Sequence, residues 1–219
     1  MSNTLNMARL DFYTLKSQMT TYMVIPAVAL FFSLTGLSLF ALGFTAAWLV
    51  LIVNTNLFAI QEKYGLERLY SSLALNKKCV VLGRYISTTL NYLFAYFVVI
   101  IIGVIIAFIQ GHAIFYNGII ESFCISLLAF TFVSSIQLPI YFVAGYTKGR
   151  IISMIPFLII AGLVIFQALN EKMESVIRSA LAYRNGIYVI CLIISVAVMV
   201  VSYYVAVSCY KNGSKWRSK

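Results

Sequence analysis

The first long uncharged stretch of the chain, residues 17–61, reads SQMTTYMVIPAVALFFSLTGLSLFALGFTAAWLVLIVNTNLFAIQ. Its 45 residues include no Asp, Glu, Lys or Arg. Since one membrane crossing takes roughly 20 apolar residues, the stretch is long enough for two transmembrane helices. The segment Gly36–Gly43 is the natural turn between them. The stretch therefore predicts a helical hairpin that crosses a membrane twice.

The composition of the whole chain agrees with a membrane protein. Of its 219 residues, 62% are hydrophobic and 10% are charged, whereas a soluble domain has roughly 45–50% apolar and about 25% charged residues. This excludes a soluble globular fold, and it also excludes intrinsic disorder, which requires low hydrophobicity. The strands of a β-barrel would alternate apolar and polar residues over about ten positions, and these apolar runs do not alternate. The predicted fold class is an all-α integral membrane protein.

Charged residues also separate the later apolar runs, and each of those runs is long enough for a crossing. The six predicted transmembrane helices cover residues 20–39, 42–60, 85–109, 123–145, 151–169 and 187–207. Together they predict a single transmembrane domain over residues 1–219. The first run is too long for a signal peptide, and no clear cleavage pattern follows it, so we expect the chain to keep its N-terminus.

The net charge of +10, from 16 basic and six acidic residues, has a topological interpretation. On a soluble protein this surplus would suggest a nucleic-acid partner, but in membrane proteins basic residues accumulate in cytoplasmic loops. With the N-terminus in the cytoplasm, only Lys172, Arg178 and Arg184 lie outside, and the other 13 of the 16 basic residues lie inside. We therefore expect a multi-pass protein with both termini in the cytoplasm and no nucleic-acid partner.

The four cysteines predict no metal or redox site, because their spacing matches no known motif. Cys79 and Cys209 fall at the predicted cytoplasmic face, where thiols stay reduced. Cys124 and Cys191 fall near the outer ends of the fourth and sixth spans, so the sequence permits a disulfide between them. Four free thiols are favoured, because cysteine is commonly a buried apolar residue.

Apolar residues at the start of the chain follow a helical period. They occupy positions 5, 8, 12, 15 and 19, with charged and polar residues between them. This is the pattern of an amphipathic helix. We expect residues 1–18 to form a helix on the inner membrane surface, where basic side chains meet anionic lipid headgroups. The alternative is a frayed cytoplasmic tail.

The segment between the second and third spans, residues 62–84, reads EKYGLERLYSSLALNKKCVVLGR. Four apolar side chains at i, i+3, i+4 and i+7 share one helical face; they are Leu66, Leu69, Tyr70 and Leu73. Acidic residues in the first turns suit the positive end of the helix dipole. Asn76 can cap a second helix that runs through Lys77 and Lys78 into the third span. The pattern predicts either a docking helix for a soluble motor protein or an ordinary interfacial helix.

This segment resembles the coupling loop of type-2 (type V exporter-like) ABC transporter permeases, whose usual form is E-x-x-G-x-E-x-L-x-x-S-x-P-x-S-[RK]-x-x-[IV]-x-x-G-[KR]. The matching residues are Glu62, Gly65, Glu67, Leu69, Ser72, Lys77, Val80, Gly83 and Arg84. Ala74 stands where the family has Pro, and Asn76 where it has Ser. Asn keeps the capping chemistry, whereas loss of the proline relaxes the kink between two helices. The surface helix and the six spans extend the resemblance to nearly the whole chain.

The resemblance implies that the chain is a permease subunit of an ABC exporter in a bacterial plasma membrane. Two such subunits, expected to be a homodimer, would enclose the path and bind two copies of a separate ATPase. This chain has no G-x-x-x-x-G-K-[ST] phosphate loop, since Gly145-Tyr-Thr-Lys-Gly149-Arg150 has the wrong spacing. ATP and Mg²⁺ would therefore bind to the partner ATPase, and we expect no catalytic residue, metal or cofactor here. The residues implied in ATPase coupling are Glu62, Leu66, Glu67, Arg68, Leu69, Tyr70, Leu73, Lys77 and Lys78.

The predicted outer segment between the fifth and sixth spans, residues 170–186, reads NEKMESVIRSALAYRNG. Its apolar residues fall at helical spacing before Asn185-Gly186, which is a helix stop signal. They include Met173, Val176, Ile177 and Leu181. In several members of the family that the chain resembles, this segment caps the path. It forms either an extracellular gate or an interfacial helix without a gating role.

An intramembrane enzyme or an ion-driven carrier would be a different class of protein. Such an enzyme needs a nucleophile or metal ligands facing one another, and a carrier needs a carboxylate near the membrane midplane. The single histidine, His112, lies in a short predicted outer loop, and no acid lies deep in a span. Both classes are disfavoured. Polar residues inside the spans are expected between helices rather than at a substrate; they are Asn54, Asn56, Asn91, Ser134, Ser135, Gln137 and Gln167.

The substrate is suggested only by composition. The chain has 15 Tyr, 16 Phe and two Trp residues, which favours an apolar, lipid-accessible path for an amphiphile over one for a sugar polymer. In size and composition the chain is similar to permeases that export amphipathic peptides, such as phenol-soluble modulins or bacteriocin-type toxins. Export of drugs or lipids is the alternative.

Overall fold

The computed structural model describes residues 19–34, 39–65, 77–111, 116–169 and 184–213. These residues form five α-helices and no strand, as the sequence predicts for an all-α protein. The helices are α1 (Met19–Leu34), α2 (Leu39–Lys63), α3 (Lys77–Ile109), α4 (Tyr116–Leu169) and α5 (Arg184–Gly213). The predicted surface helix, residues 1–18, lies outside the described residues.

Four of the described helices contain a segment long and apolar enough to cross a membrane. These segments are Leu42–Lys63, Lys78–Ile109, Gly118–Pro156 and Tyr188–Tyr210. Helix α1 has 16 residues, and its apolar part, Met23–Leu34, is shorter than a usual crossing. The structure therefore agrees with a membrane protein, but it gives four candidate spans where the sequence predicts six.

The short α1 accounts for one of the two missing spans, and α4 accounts for the other, since its 54 residues run through both the fourth and the fifth predicted spans. Its backbone leaves the helical conformation at Gly145, where φ is 74° and ψ is 178°. This break divides α4 into a first arm, 116–144, and a second arm, 146–169. Lys148 and Arg150 lie in the second arm, so the charges predicted to separate two spans fall within the helix.

The predicted turn Gly36–Gly43 is wrong in its extent, because α2 begins at Leu39 and includes Gly43. Gly43 packs against α4, and a Cβ atom built on it would lie 2.1 Å from Ser122 Oγ. The glycine therefore serves a close approach of two helices rather than a turn. Small residues have this role at helix–helix contacts in membranes.

Two apolar cores hold the helices together. One core joins α1, α2, α3 and the start of α4; Ala46, Val50, Val99 and Phe130 are among its buried members. The second core joins α2, α3, α4 and α5; it consists of Phe58, Val81, Tyr85, Leu138, Tyr141, Phe142, Ala206 and Val207. Four basic residues, Lys63, Lys78, Lys148 and Arg150, are close in sequence to members of the second core. We call the end of the bundle at this core the basic end.

Tyrosine hydroxyls connect helices within the bundle. Tyr92 bonds with Ser126 at 2.7 Å, and its ring stacks on Phe130 with the centroids 4.4 Å apart. Tyr85 bonds with Ser202 at 2.5 Å, and Ser202 in turn donates to the carbonyl oxygen of Ser135 at 2.7 Å. These bonds join α3 to α4 and α5, as expected where water does not compete for polar groups.

The polar residues predicted between helices are mostly buried. Asn54, Asn91, Ser134 and Gln137 are all buried among the described helices, while the side chain of Gln167 lies outside the described residues. All four cysteines are free thiols, so Cys124 and Cys191 do not form the disulfide that the sequence permits.

The outward faces of the helices are apolar. On α3, exposed side chains follow a helical stripe; they are Phe94, Phe97, Ile101, Ile105 and Phe108, the last being 79% exposed. On α5 a similar stripe includes Val189, Ile193, Val196 and Val200. In water such surfaces would be unfavourable, whereas in a bilayer they contact lipid tails.

Candidate functional site

The segment that the sequence singles out, 62–84, begins where α2 ends at the basic end. The final turn closes with a bond from the Tyr64 nitrogen to the Ile60 carbonyl oxygen at 2.9 Å. Gly65 then takes a left-handed conformation with φ of 59°. Glycine favours this conformation because it has no Cβ, and it commonly ends helices in this way.

The carboxylate of Glu62 binds the start of the second arm of α4. Its Oε2 accepts hydrogen bonds from the main-chain nitrogens of Tyr146 at 2.5 Å and Thr147 at 3.1 Å. Its Oε1 accepts a further bond from the hydroxyl of Thr147. Three bonds thus join the end of α2 to one turn of α4.

The break at Gly145 explains why these nitrogens need an acceptor. The first N–H groups of a helix have no carbonyl partner within it, and the break makes Tyr146 and Thr147 the start of a new helical arm. A carboxylate satisfies these donors and also suits the positive end of the helix dipole. Glu62 therefore caps a helix from which it is more than 80 residues distant in sequence.

Arg84, at the other end of the 62–84 segment, lies inside the bundle at 2% exposure. Its guanidinium donates to Gln61 Oε1 at 2.6 Å, and its Cζ lies 4.8 Å from the centroid of the Phe58 ring. A buried guanidinium requires such partners, because desolvation of a charge is costly. Arg84 thereby fixes the first turns of α3 to the last turns of α2.

The two ends of the segment meet around Phe58. Its ring lies 4.8 Å from the Tyr141 ring and 5.5 Å from the Phe142 ring, both on the first arm of α4. Its neighbours one turn later, Gln61 and Glu62, hold Arg84 and the second arm of α4. One turn of α2 therefore contacts the start of α3 and both arms of α4.

Two further bonds connect the arms of α4 across the break. Tyr141 Oη bonds with Ser153 Oγ at 2.6 Å, and Gln137 Nε2 donates to the Ser153 carbonyl oxygen at 3.2 Å. Glu62 thus holds the start of the second arm against α2, and the Ser153 bonds hold the second arm against the first.

A cleft of about 890 Å³ opens between the end of α2 and the break in α4. Its lining includes Glu62, Lys63 and Tyr64 from α2 and the turn after it, and the residues from Tyr141 to Lys148 from α4. Lys63 lies with its Nζ 5.6 Å from the Tyr64 ring centroid. The cleft therefore combines aromatic surface with both signs of charge.

The described residues cover only part of the predicted coupling site. Glu62 lies at the end of α2, and Lys77 and Lys78 form the first turn of α3, a continuous helix that runs into the third predicted span. The remaining coupling residues lie outside the described residues; they are Leu66, Glu67, Arg68, Leu69, Tyr70 and Leu73. The predicted gate residues lie outside as well; they are Met173, Val176, Ile177 and Leu181.

Sequence reasoning did not identify Gln61, Gly145, Tyr146 or Thr147 as part of this site. A signal was present at Gly145, because an isolated glycine inside a helical pattern can mark the end of a helix. The segment 145–150 resembles a phosphate loop only superficially, but it is indeed a helix N-terminus that binds an anion. The anion is the Glu62 carboxylate.

Within the described ranges, no group of three or more His, Cys, Asp and Glu side chains is placed to hold a metal ion. What the site offers is a set of polar bonds that join three helices at one end of the bundle.

One known protein family matches nearly the whole chain. Residues 6–211 match the family described as ABC-2 family transporter protein. The chain therefore belongs to the ABC-2 transporter family, and it is a membrane permease of an ABC transporter rather than the ATPase itself. Membership implies an ABC ATPase as the partner in the transporter. Neither the curated proteins nor the solved structures contain a match to this chain.

Proposed function

We propose that this permease exports an amphipathic substrate, and that segment 62–84 transmits the movement of a separate ATPase to the membrane helices. In this proposal Leu66, Leu69, Tyr70 and Leu73 form the apolar ridge that seats in the ATPase. Glu67, Arg68, Lys77 and Lys78 supply polar contacts beside it. ATP and Mg²⁺ bind to the partner.

The observation that carries the proposal is the anchoring of both ends of the segment. Glu62 at its start caps the second arm of α4, and Arg84 at its end binds Gln61 next to that cap. A displacement of the segment therefore acts on α2, α3 and both arms of α4 together. An ordinary interfacial helix has no need of such connections to the transmembrane bundle.

The proposed topology has six spans, with α1 as the first and the two arms of α4 as the fourth and fifth. The basic end faces the cytoplasm, as the distribution of basic residues indicates, and both termini lie on that side of a bacterial plasma membrane. Two copies of the chain enclose the path, and each binds one ATPase subunit. Residues 173–181 form the gate on the opposite side.

For the substrate, the proposal favours an amphipathic peptide such as a toxin or antimicrobial peptide. The apolar surfaces and aromatic content suit a molecule that partitions into the bilayer. A drug or lipid is the second candidate, since it shares this property. ATP hydrolysis by the reconstituted complex separates the two, because the true substrate class should stimulate hydrolysis and the other should not.

Docking is tested by the double variant Leu69→Asp, Tyr70→Asp, produced together with the ATPase. Two buried carboxylates should disrupt an apolar ridge, so we expect the ATPase no longer to co-purify. Gln110→Asp is the matched control, because it adds a carboxylate at an exposed position beyond the opposite end of α3. Co-purification and substrate-stimulated hydrolysis that persist in the double variant would refute the docking assignment.

A further inference from the structure

Two hydrogen bonds fix the relative register of α5 and the first arm of α4. Tyr188 donates to the Glu121 carboxylate at 2.8 Å, and Ser202 donates to the carbonyl oxygen of Ser135 at 2.7 Å. In each bond the two residues are 67 positions apart in the chain. A constant offset means that the two helices run side by side in the same direction, and that they stay in register over about four helical turns.

Two cysteines lie between these bonds and share their register. Cys124 and Cys191 are also 67 positions apart. Each of them follows the first bond by three residues and precedes the second bond by 11 residues. Because three residues are about one helical turn and 11 are about three turns, each cysteine lies on the helix face that makes both bonds. The two thiols therefore face each other between α4 and α5.

Burial and helix packing agree with this placement. Cys124 is 2% exposed and Cys191 is partly exposed, whereas Ile190 and Ile193 beside it are 55% and 63% exposed. Helices packed with their axes about 8–10 Å apart bring facing Cα atoms to within roughly 4–6 Å, because each Cα lies about 2.3 Å from its axis. A disulfide usually joins Cα atoms about 4.4–6.8 Å apart. The bond that Ser202 makes with a main-chain oxygen also requires closely packed backbones, because a serine side chain is short.

We propose that Cys124 and Cys191 form a redox switch, in which an oxidising small-molecule disulfide, R–S–S–R, converts the two free thiols into a bond between α4 and α5. Cys191 reacts first, because its side chain is partly exposed while that of Cys124 is buried. Its sulfur attacks one sulfur of the oxidant, and a first R–SH leaves with the thiol proton. The sulfur of Cys124 then attacks that of Cys191, and a second R–SH leaves with the other proton. Two cysteine thiols are thus oxidised to one disulfide, while one external disulfide is reduced to two thiols.

The position of the thiols gives the switch a consequence for transport, and this consequence rests on the proposed function. Helix α5 begins at Arg184, directly after residues 173–181, which form the gate in that proposal. A disulfide joins the first turns of α5 to the first turns of α4. The two helices then cannot separate at the gate, so we expect oxidation to inhibit export. The thiol pair itself does not depend on the proposed function, since it follows from the register of the helices.

Intact-mass spectrometry of the full-length protein carrying Cys79→Ser and Cys209→Ser tests the pair. The oxidant is dipyridyl disulfide, which is neutral and therefore insensitive to the charges of Glu121 and Arg184 near this end of the bundle. The folded protein should lose the mass of two hydrogen atoms and retain no thiopyridyl group. A thiopyridyl group that stays on Cys191, a disulfide between two copies, or two thiols that react only after unfolding would each overturn the proposal.

The matched control moves one thiol to the outward face of the same helix. In the same background, Cys191→Ser, Ile193→Cys places the second thiol at a position that is 63% exposed. Two residues correspond to more than half a turn, so this thiol points away from α4. We expect no disulfide within the chain in this variant. Equal closure in the two proteins would contradict the facing arrangement.

Inhibition is measured as substrate-stimulated ATP hydrolysis by the permease produced with its ATPase, in the background with Cys79 and Cys209 replaced by Ser. Oxidation should lower the rate several-fold, and dithiothreitol should restore it. A further Cys124→Ser change should keep the rate under the oxidant at its reduced value, which controls for cysteines of the ATPase. An unchanged rate in a fully cross-linked permease would overturn the inhibitory role. Hydrolysis that no amphiphile stimulates in the reduced complex would instead contradict the proposed function.

Discussion

Glu62 Oε2 lies 2.5 Å from the main-chain nitrogen of Tyr146, so the end of one transmembrane helix caps the start of another helical arm. The first residue of the 62–84 segment is thus part of the structure of α4. Any force that displaces this segment is applied at the Gly145 break, where the helix has no continuous hydrogen-bond ladder to resist it.

Removal of the cap should destabilise the protein. Glu62→Ala removes the acceptor for both main-chain donors, and loss of an N-cap costs about 0.5–2 kcal/mol in the free energy of unfolding. Glu62→Gln keeps one amide oxygen and should fall between Glu62→Ala and wild type. Denaturant titration in detergent measures the difference. A wild-type stability for Glu62→Ala would show that the cap is not formed.

Gly145 should be intolerant of a side chain. At φ of 74° and ψ of 178° the backbone is in a region that glycine alone populates readily, and a side chain there costs about 1–3 kcal/mol. Gly145→Ala should therefore lower the unfolding free energy by this amount, and Gly145→Asn by a similar amount, because the conformation lies outside the left-handed helical region that Asn tolerates. Gly118→Ala serves as the comparison, since its added methyl would meet no heavy atom within 4 Å. If Gly145→Ala and Gly118→Ala behave alike, α4 continues without a break.

Arg84 and Gln61 should be energetically coupled. Arg84→Met removes a hydrogen bond from a charged donor, worth about 1.5–3 kcal/mol, and leaves the buried Gln61 acceptor unsatisfied. In the double variant Gln61→Leu, Arg84→Met this acceptor is gone as well, so the loss of stability should be smaller than the sum of the two single losses. Strict additivity in the double-mutant cycle would contradict the bond. Arg84→Lys should not restore wild-type stability, because a lysine cannot stack its head group flat on Phe58.

The contact between Gly43 and Ser122 should show the same kind of coupling. Gly43→Ala places a methyl group 2.1 Å from Ser122 Oγ, and overpacking of this kind costs about 1–3 kcal/mol. Ser122→Ala removes the clashing atom, so Gly43→Ala should cost less in the Ser122→Ala background than in the wild-type protein. The cycle is measured by thermal unfolding. A Gly43→Ala variant as stable as wild type would place Gly43 away from α4, in the turn that the sequence suggests.

Much of the fold could be predicted from the sequence, because membrane helices are long, apolar and bounded by charges. This rule locates all five described helices to within a few residues at most ends. It fails at Gly43 and at Gly145 for a common reason. A glycine in sequence indicates a turn, a close helix contact or a left-handed break, and only the neighbouring element decides which of them occurs.

Only some residues of the candidate site could be predicted from the sequence, for a related reason. Glu62 could be identified from a local motif, but the motif placed it in the first turn of the coupling helix. It lies instead in the last turn of α2. Its partners, Tyr146 and Thr147, come from a different part of the chain, and no local pattern specifies that contact. Gln61 could not be identified from the sequence either, because its role depends on the hydrogen bond that Arg84 of α3 donates to it.

Site-specific cross-linking is the most direct test of whether segment 62–84 contacts a separate ATPase. A photoreactive amino acid replaces Tyr70 in the permease, which is produced with its ABC ATPase and illuminated in membranes. The same amino acid at Gln110 is the control for random collisions. We expect a cross-link from position 70 to the ATPase and none from position 110. Cross-links from position 70 only to lipid or to the permease itself, in a sample where the two proteins co-purify, would contradict it.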